Sequence, residues 1–160
     1  DCGRLSMRPE TTTSHSLTQT DASRAIRCVA QVLVVDRRGG PASILMDTLS
    51  RLLDGGLSLT EVDRRFDAMQ ALDCFCFDLV VIGIDRNRVV DLTLLPEIVR
   101  LRPDVPVLVV GTQLTRFFTQ AAQRYGASDV LDLPARAADL RRAAERIERF
   151  MYGDALRCAG

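Results

Sequence analysis

Apolar residues in this chain fall into two alternating patterns. One is a short run of strand length: QVLVV at 31–35, FDLVVIG at 77–83 and VPVLVVG at 105–111, with SDVLDL at 128–133 as a more polar fifth strand. Unbroken β-branched runs predict strands buried on both faces. LSLTEV at 57–62 alternates instead, which predicts a strand nearer an edge. The other pattern is helical spacing. Gly39-Gly40-Pro41 breaks the chain and Pro41 suits a first helical turn. Ile44, Leu45, Leu49, Leu52 and Leu53 then form an inward face, ended by Gly55-Gly56. Phe66, Met69 and Leu72 mark a second helix. Thr93 is placed to cap a third, with Pro96 in its first turns and Ile98, Val99 and Leu101 apolar. A fourth covers 114–125 and stops at Gly126. The last runs over about 136–151, with Leu140, Ala144, Ile147 and Met151 inward and Glu145 paired with Arg149 outside.

The pattern is therefore βα repeated five times. Right-handed crossovers between buried parallel strands give a doubly wound, three-layer α/β sandwich. Such sheets place their sites at the carboxyl ends of the strands. Here those ends bring Asp36, Arg37 and Arg38 together with Gly83, Ile84 and Asp85, with Gly111 and Thr112, and with Leu133 and Pro134. Residues 1–28 are polar, rich in Ser and Thr, and aperiodic, which predicts a flexible tail. A tail docked on its own domain or on a neighbour is the alternative. The folded domain is expected over 29–152, with a C-terminal tail over 153–160.

Charge narrows the chemistry. The chain has 21 basic and 21 acidic residues, and every basic residue is arginine. Any mechanism that needs a lysine is excluded, and nothing predicts a nucleic-acid footprint or a membrane patch. The five cysteines, Cys2, Cys28, Cys74, Cys76 and Cys158, have no disulfide or zinc spacing and read as reduced, structural residues. The single histidine, His15, lies in the tail, so no Ser-His-Asp or Cys-His set exists. No metal, cofactor or enzymatic activity is expected. No apolar run reaches the ~18 residues of a membrane span, the start DCGRLSMRPE shows no apolar region of the signal-peptide kind, and Met7 reads as a native start. A cytoplasmic protein is expected.

The blocks VLVVDRR, FDLVVIGID, RPDVPVLVVG and YGASDVLDLPARAADL, in this order and spacing over residues 31–151, resemble the receiver domain of bacterial two-component response regulators. The resemblance implies the flavodoxin-like strand order 2-1-3-4-5. It also implies phosphoryl transfer to an aspartate, with Mg²⁺ held by acidic side chains, a hydroxyl, and a lysine on the phosphoryl oxygens. Position by position the parts are missing. Asp36 fills the first acidic place of strand one, but Arg37 stands at the direct metal ligand. The phospho-accepting aspartate falls on Gly83, the hydroxyl on Gly111 with Thr112 one place late, the lysine on Leu133 before Pro134, and the aromatic switch on Val130. The chain thus resembles a degenerate receiver, or pseudo-receiver.

The expected function is a phosphorylation-independent signalling module. It would act by protein–protein contact or dimerisation in bacterial signal transduction or transcription regulation, either alone or within a longer regulator. The family's usual dimer and output surface, the fourth helix, fifth strand and fifth helix, implies an interaction face holding Arg116, Phe117, Phe118, Gln120, Arg141, Arg142 and Arg149. Phe117 and Phe118 are helix neighbours about 100° apart, so both cannot be fully buried. Arg37 is expected to pair with Asp36 or Asp85 as an internal cation standing in for Mg²⁺. Two alternatives remain: a sensor binding a small ligand or anion in a pocket rimmed by Arg37, Arg38, Arg86 and Arg88, and a working receiver with Asp85 as phospho-acceptor.

Overall fold

The computed structural model describes residues 29–53, 56–85, 92–133, 138 and 141–149. The expected tails, Gly55, Arg86, Arg88, Pro134, Leu140 and Met151 lie outside the described residues. Five parallel strands, β1 (Ala30–Val35), β2 (Leu57–Val62), β3 (Leu79–Ile84), β4 (Val107–Thr112) and β5 (Asp129–Leu133), form one sheet in the order β2-β1-β3-β4-β5. The helices between them are α1 (Pro41–Leu52), α2 (Arg65–Cys74), α3 (Leu94–Leu101) and α4 (Arg116–Arg124). Residues 141–149 are helical and are called α5. This is the flavodoxin-like arrangement.

Side chains alternate across each strand, and the alternation divides the core in two. Val32, Val34, Leu79, Val81, Leu108 and Val110 face one side, where they meet Ala42, Leu45, Met46 and Leu49 of α1 and Ile147 of α5. Leu33, Val35, Val80, Ile82, Val107 and Val109 face the other, against Ala68, Ala71 and Leu72 of α2, Leu95 and Ile98 of α3, and Ala122 of α4. Each fully buried Leu, Ile or Val contributes ~1.5–3 kcal/mol, so the central strands β1, β3 and β4 anchor the site at their carboxyl ends. The less buried β2 is an edge strand, as its alternation predicts.

Several expected positions differ. Helix α1 turns Leu45, Met46 and Leu49 inward, which leaves Ile44 and Leu52 outside, at 56% and 66% exposure. The inward arc of the helix is centred on Leu45, Met46 and Leu49, and Ile44 and Leu52 fall outside it. Helix α2 begins at Arg65, and its inward line is Ala68, Ala71 and Leu72. Phe66 is therefore on the surface, 75% exposed. Cys74 and Cys76 are free but exposed, not buried. Thr93 precedes α3 without capping it by its side chain. Its hydroxyl accepts from Arg65, which also pairs with Glu97. On α5 the pairing formed is Arg146 with Asp129 of β5, at 2.8 Å.

Candidate functional site

Asp36 follows β1 directly and folds back over the sheet. Its carboxylate accepts from three backbone N–H groups: Arg37 at 2.8 Å, Ala42 at 2.9 Å and Ser43 at 3.2 Å. The last two belong to the first turn of α1, whose N-terminal N–H groups lack intrahelical partners and favour a negative charge. The residue at the helix's formal cap position, Gly40, has no side chain to offer. Asp36 therefore caps α1 from a distance.

Two glycines make room for it. A Cβ built on either Gly40 or Gly83 would overlap the Asp36 carboxyl group. Gly83 is the next-to-last residue of β3, one place earlier than expected because the strand continues through Ile84. Across the sheet Ile84 pairs with Gly111, and Thr112 ends β4. The space above Gly111 is filled by Leu114, whose backbone N–H is held by Asp132 at 3.0 Å. The turn is closed by Gln113 in the left-handed region, at φ 54°.

Arg37 reaches across the mouth of the site to Asp85, Nη2 to Oδ2 2.6 Å. Of the two expected partners, the side chain chooses Asp85, since Asp36 is engaged by backbone. The pair is solvated, with Arg37 54% exposed and Asp85 28%. Arg38 points elsewhere. It shares a hollow of about 550 Å³ with Asp36, Ser43, Glu61, Asp63 and Asp67. Leu133 and Thr112 line a second hollow with Arg37 and Asp85.

The residues present do not fit a magnesium ion. Asp36 engages both its oxygens with N–H groups, Arg37 brings a positive charge, and Gly83 brings no side-chain oxygen. Among the described residues no three metal-ligating side chains converge.

Of the expected interaction residues, Arg116, Phe117, Gln120, Arg141, Arg142 and Arg149 are exposed, Phe117 at 82%. Phe118 is the exception. It is partly buried and packs against the core cluster that holds Ala122. Thr115 caps this helix, its hydroxyl accepting from Phe118 N–H at 3.2 Å. Phe117 lines a surface groove with Gln120, Ala121, Arg124 and Tyr125.

The role of Asp36 was missed from sequence. The available signal was a small-residue stretch, Gly39-Gly40-Pro41-Ala42-Ser43, after the aspartate, together with glycine at 83.

No family model and no curated protein matches the sequence. Solved structures do. The orphan response regulator HP1043 of H. pylori is 21% identical over 76% of this chain and 96% of that chain, with a TM-score of 0.59. NtrX from Brucella abortus, in complex with ADP, is 26% identical over 82% of this chain with a TM-score of 0.61, and this chain spans 28% of its length. A CheY-like response regulator receiver domain protein from Methanospirillum hungatei is 17% identical over 82% of this chain and 99% of that chain, with a TM-score of 0.61. No helix among the described residues is long and apolar enough to cross a membrane. The strand order, the two-sided core and these likenesses together show that the chain has the fold of the response-regulator receiver domain.

Proposed function

We propose that this chain is a pseudo-receiver: a signalling module of the two-component type that acts through protein contacts and does not accept phosphate. One observation carries the reading. The place above Gly83, where the resemblance puts a phospho-accepting side chain, is occupied by the carboxylate of Asp36, fixed there by three N–H groups. A receiver switches by changing the charge at this point. Here the place is filled by a carboxylate that holds the first turn of α1. Asp85, the remaining carboxylate at the mouth, is engaged by Arg37. The chain supplies no lysine to stabilise a phosphoryl transition state there.

Output then rests on a constant surface. Phe117 and Tyr125 are exposed aromatics at either end of α4, flanked by Gln120 and Arg124. Aromatic and arginine side chains are the types that anchor interfaces. The partner is a second copy of the chain or another signalling protein, and the module has no catalytic activity of its own.

The test is incubation with acetyl phosphate and Mg²⁺, read by intact mass. Unchanged mass is expected, and a stable adduct of one phosphoryl group overturns the reading. Light scattering over a concentration series then separates self-association from docking to a different protein.

A further inference from the structure

We infer that the hollow beside the Arg37–Asp85 pair is a binding site for a small carboxylic acid with an apolar body. The hollow measures about 310 Å³ and is lined by Arg37, Pro41, Ile44, Asp85, Thr112 and Leu133. Ligand pockets begin near ~300 Å³ and combine apolar walls with a few polar groups that fix orientation. This hollow has that composition. Pro41, Ile44 and Leu133 form the apolar part, and Ile44 stands 56% exposed with no core to join.

The polar part suits a carboxylate. Among the described residues Asp85 takes one Nη2 hydrogen of Arg37, and no other acceptor meets the guanidinium. The remaining N–H donors form a planar fork that matches two carboxylate oxygens. The Thr112 hydroxyl makes no hydrogen bond among the described residues, so it adds a further donor on the same rim. An inorganic anion would use the fork and leave the apolar wall wet. A neutral apolar molecule would leave the fork unused. An amphipathic carboxylate uses both. The position, at the carboxyl ends of β3, β4 and β5, is where sheets of this topology bind ligands. This inference is separate from the protein-docking surface on α4 and stands or falls without it.

The test is a titration of the whole ¹⁵N-labelled chain, followed by amide shifts, with benzoate, with benzamide as its neutral isostere, and with inorganic phosphate. Benzoate should shift the Arg37, Ile44 and Thr112 signals saturably. Benzamide and phosphate should bind about ten-fold more weakly or not at all. Ile44→Ser removes the wall without disturbing the core and should weaken benzoate by about five-fold. Asp85→Asn frees the fork and should tighten it by about three-fold. Phosphate binding as well as benzoate, benzoate indifferent to Ile44→Ser, or no saturable shift at tens of millimolar would each overturn the proposal. The Ile44 and Asp85 variants keep the test decisive even if Arg37→Gln, expected to abolish binding, does not fold.

Discussion

Gly83 holds the strongest quantitative consequence of the site. Gly83→Ala adds one methyl group where the Asp36 carboxylate lies. Ordinarily Gly→Ala in a strand would be neutral or would stabilise by ~0.5–1 kcal/mol. Here the carboxylate must swing away and release the Ala42 and Ser43 N–H groups at 2.9 and 3.2 Å. Loss of such a helix cap costs ~1–2 kcal/mol, and crowding a packed strand end costs ~1–3 kcal/mol. The net expectation is a loss of ~2–3 kcal/mol, or a fall in Tm of about 5–15 °C for a domain of this size. Asp36→Ala alone loses the cap, ~1–2 kcal/mol, but empties the space. The double variant should therefore be no less stable than Asp36→Ala, and the two losses should fail to add by ~2 kcal/mol. Urea denaturation followed by circular dichroism measures all four proteins, with equal m-values as the check that the denatured states are comparable. Full stability in Gly83→Ala would refute the reasoning. Simple additivity in the double variant would also refute it, because it would mean that the two residues do not share one space.

Other consequences follow from the same geometry. Gly83→Asp should be destabilised at least as much as Gly83→Ala and should still gain no phosphoryl mass from acetyl phosphate and Mg²⁺, since the new side chain meets the Asp36 carboxylate and the chain has no lysine to assist it. Arg37→Ala should cost less than ~1 kcal/mol in denaturation, because the pair with Asp85 is solvated. An internal cation paired with Asp85 at the exposed mouth of the site thus stabilises the fold only slightly. Arg102→Met should cost ~1–2 kcal/mol by the same assay, because its guanidinium donates to the Leu72 carbonyl at 3.0 and 2.9 Å and so closes the C-terminus of α2. Phe117→Ala should leave stability within ~0.5 kcal/mol while lowering the molar mass seen by light scattering, if the partner is a second copy, or abolishing capture of a different partner.

What the sequence disclosed and what it hid divide along a physical line. Strands buried on both faces must be apolar at every position, so VLVV at 32–35, LVVI and VLVV at 107–110 announced themselves, and their order in the chain gave the α/β class. Helix faces were less legible. A helix shows only spacing, and Ile44-Leu45 or Phe117-Phe118 offer two registers 100° apart. The choice was made by the sheet beneath, which took Leu45 and Phe118 and left Ile44 and Phe117 outside. The site was legible as a set of absences, since glycine at 83 and arginine at 37 are visible in one dimension. Its internal logic was not. An aspartate that caps a helix six residues on does so only when the intervening turn brings the N–H groups back to it. That turn depends on Gly39 at φ 74° and on the open space at Gly40 and Gly83. Gly40 and Gly83 thus have a physical role of their own. They are the complement of Asp36, and restoring a side chain at Gly83 without removing the one at Asp36 sets two groups against one space.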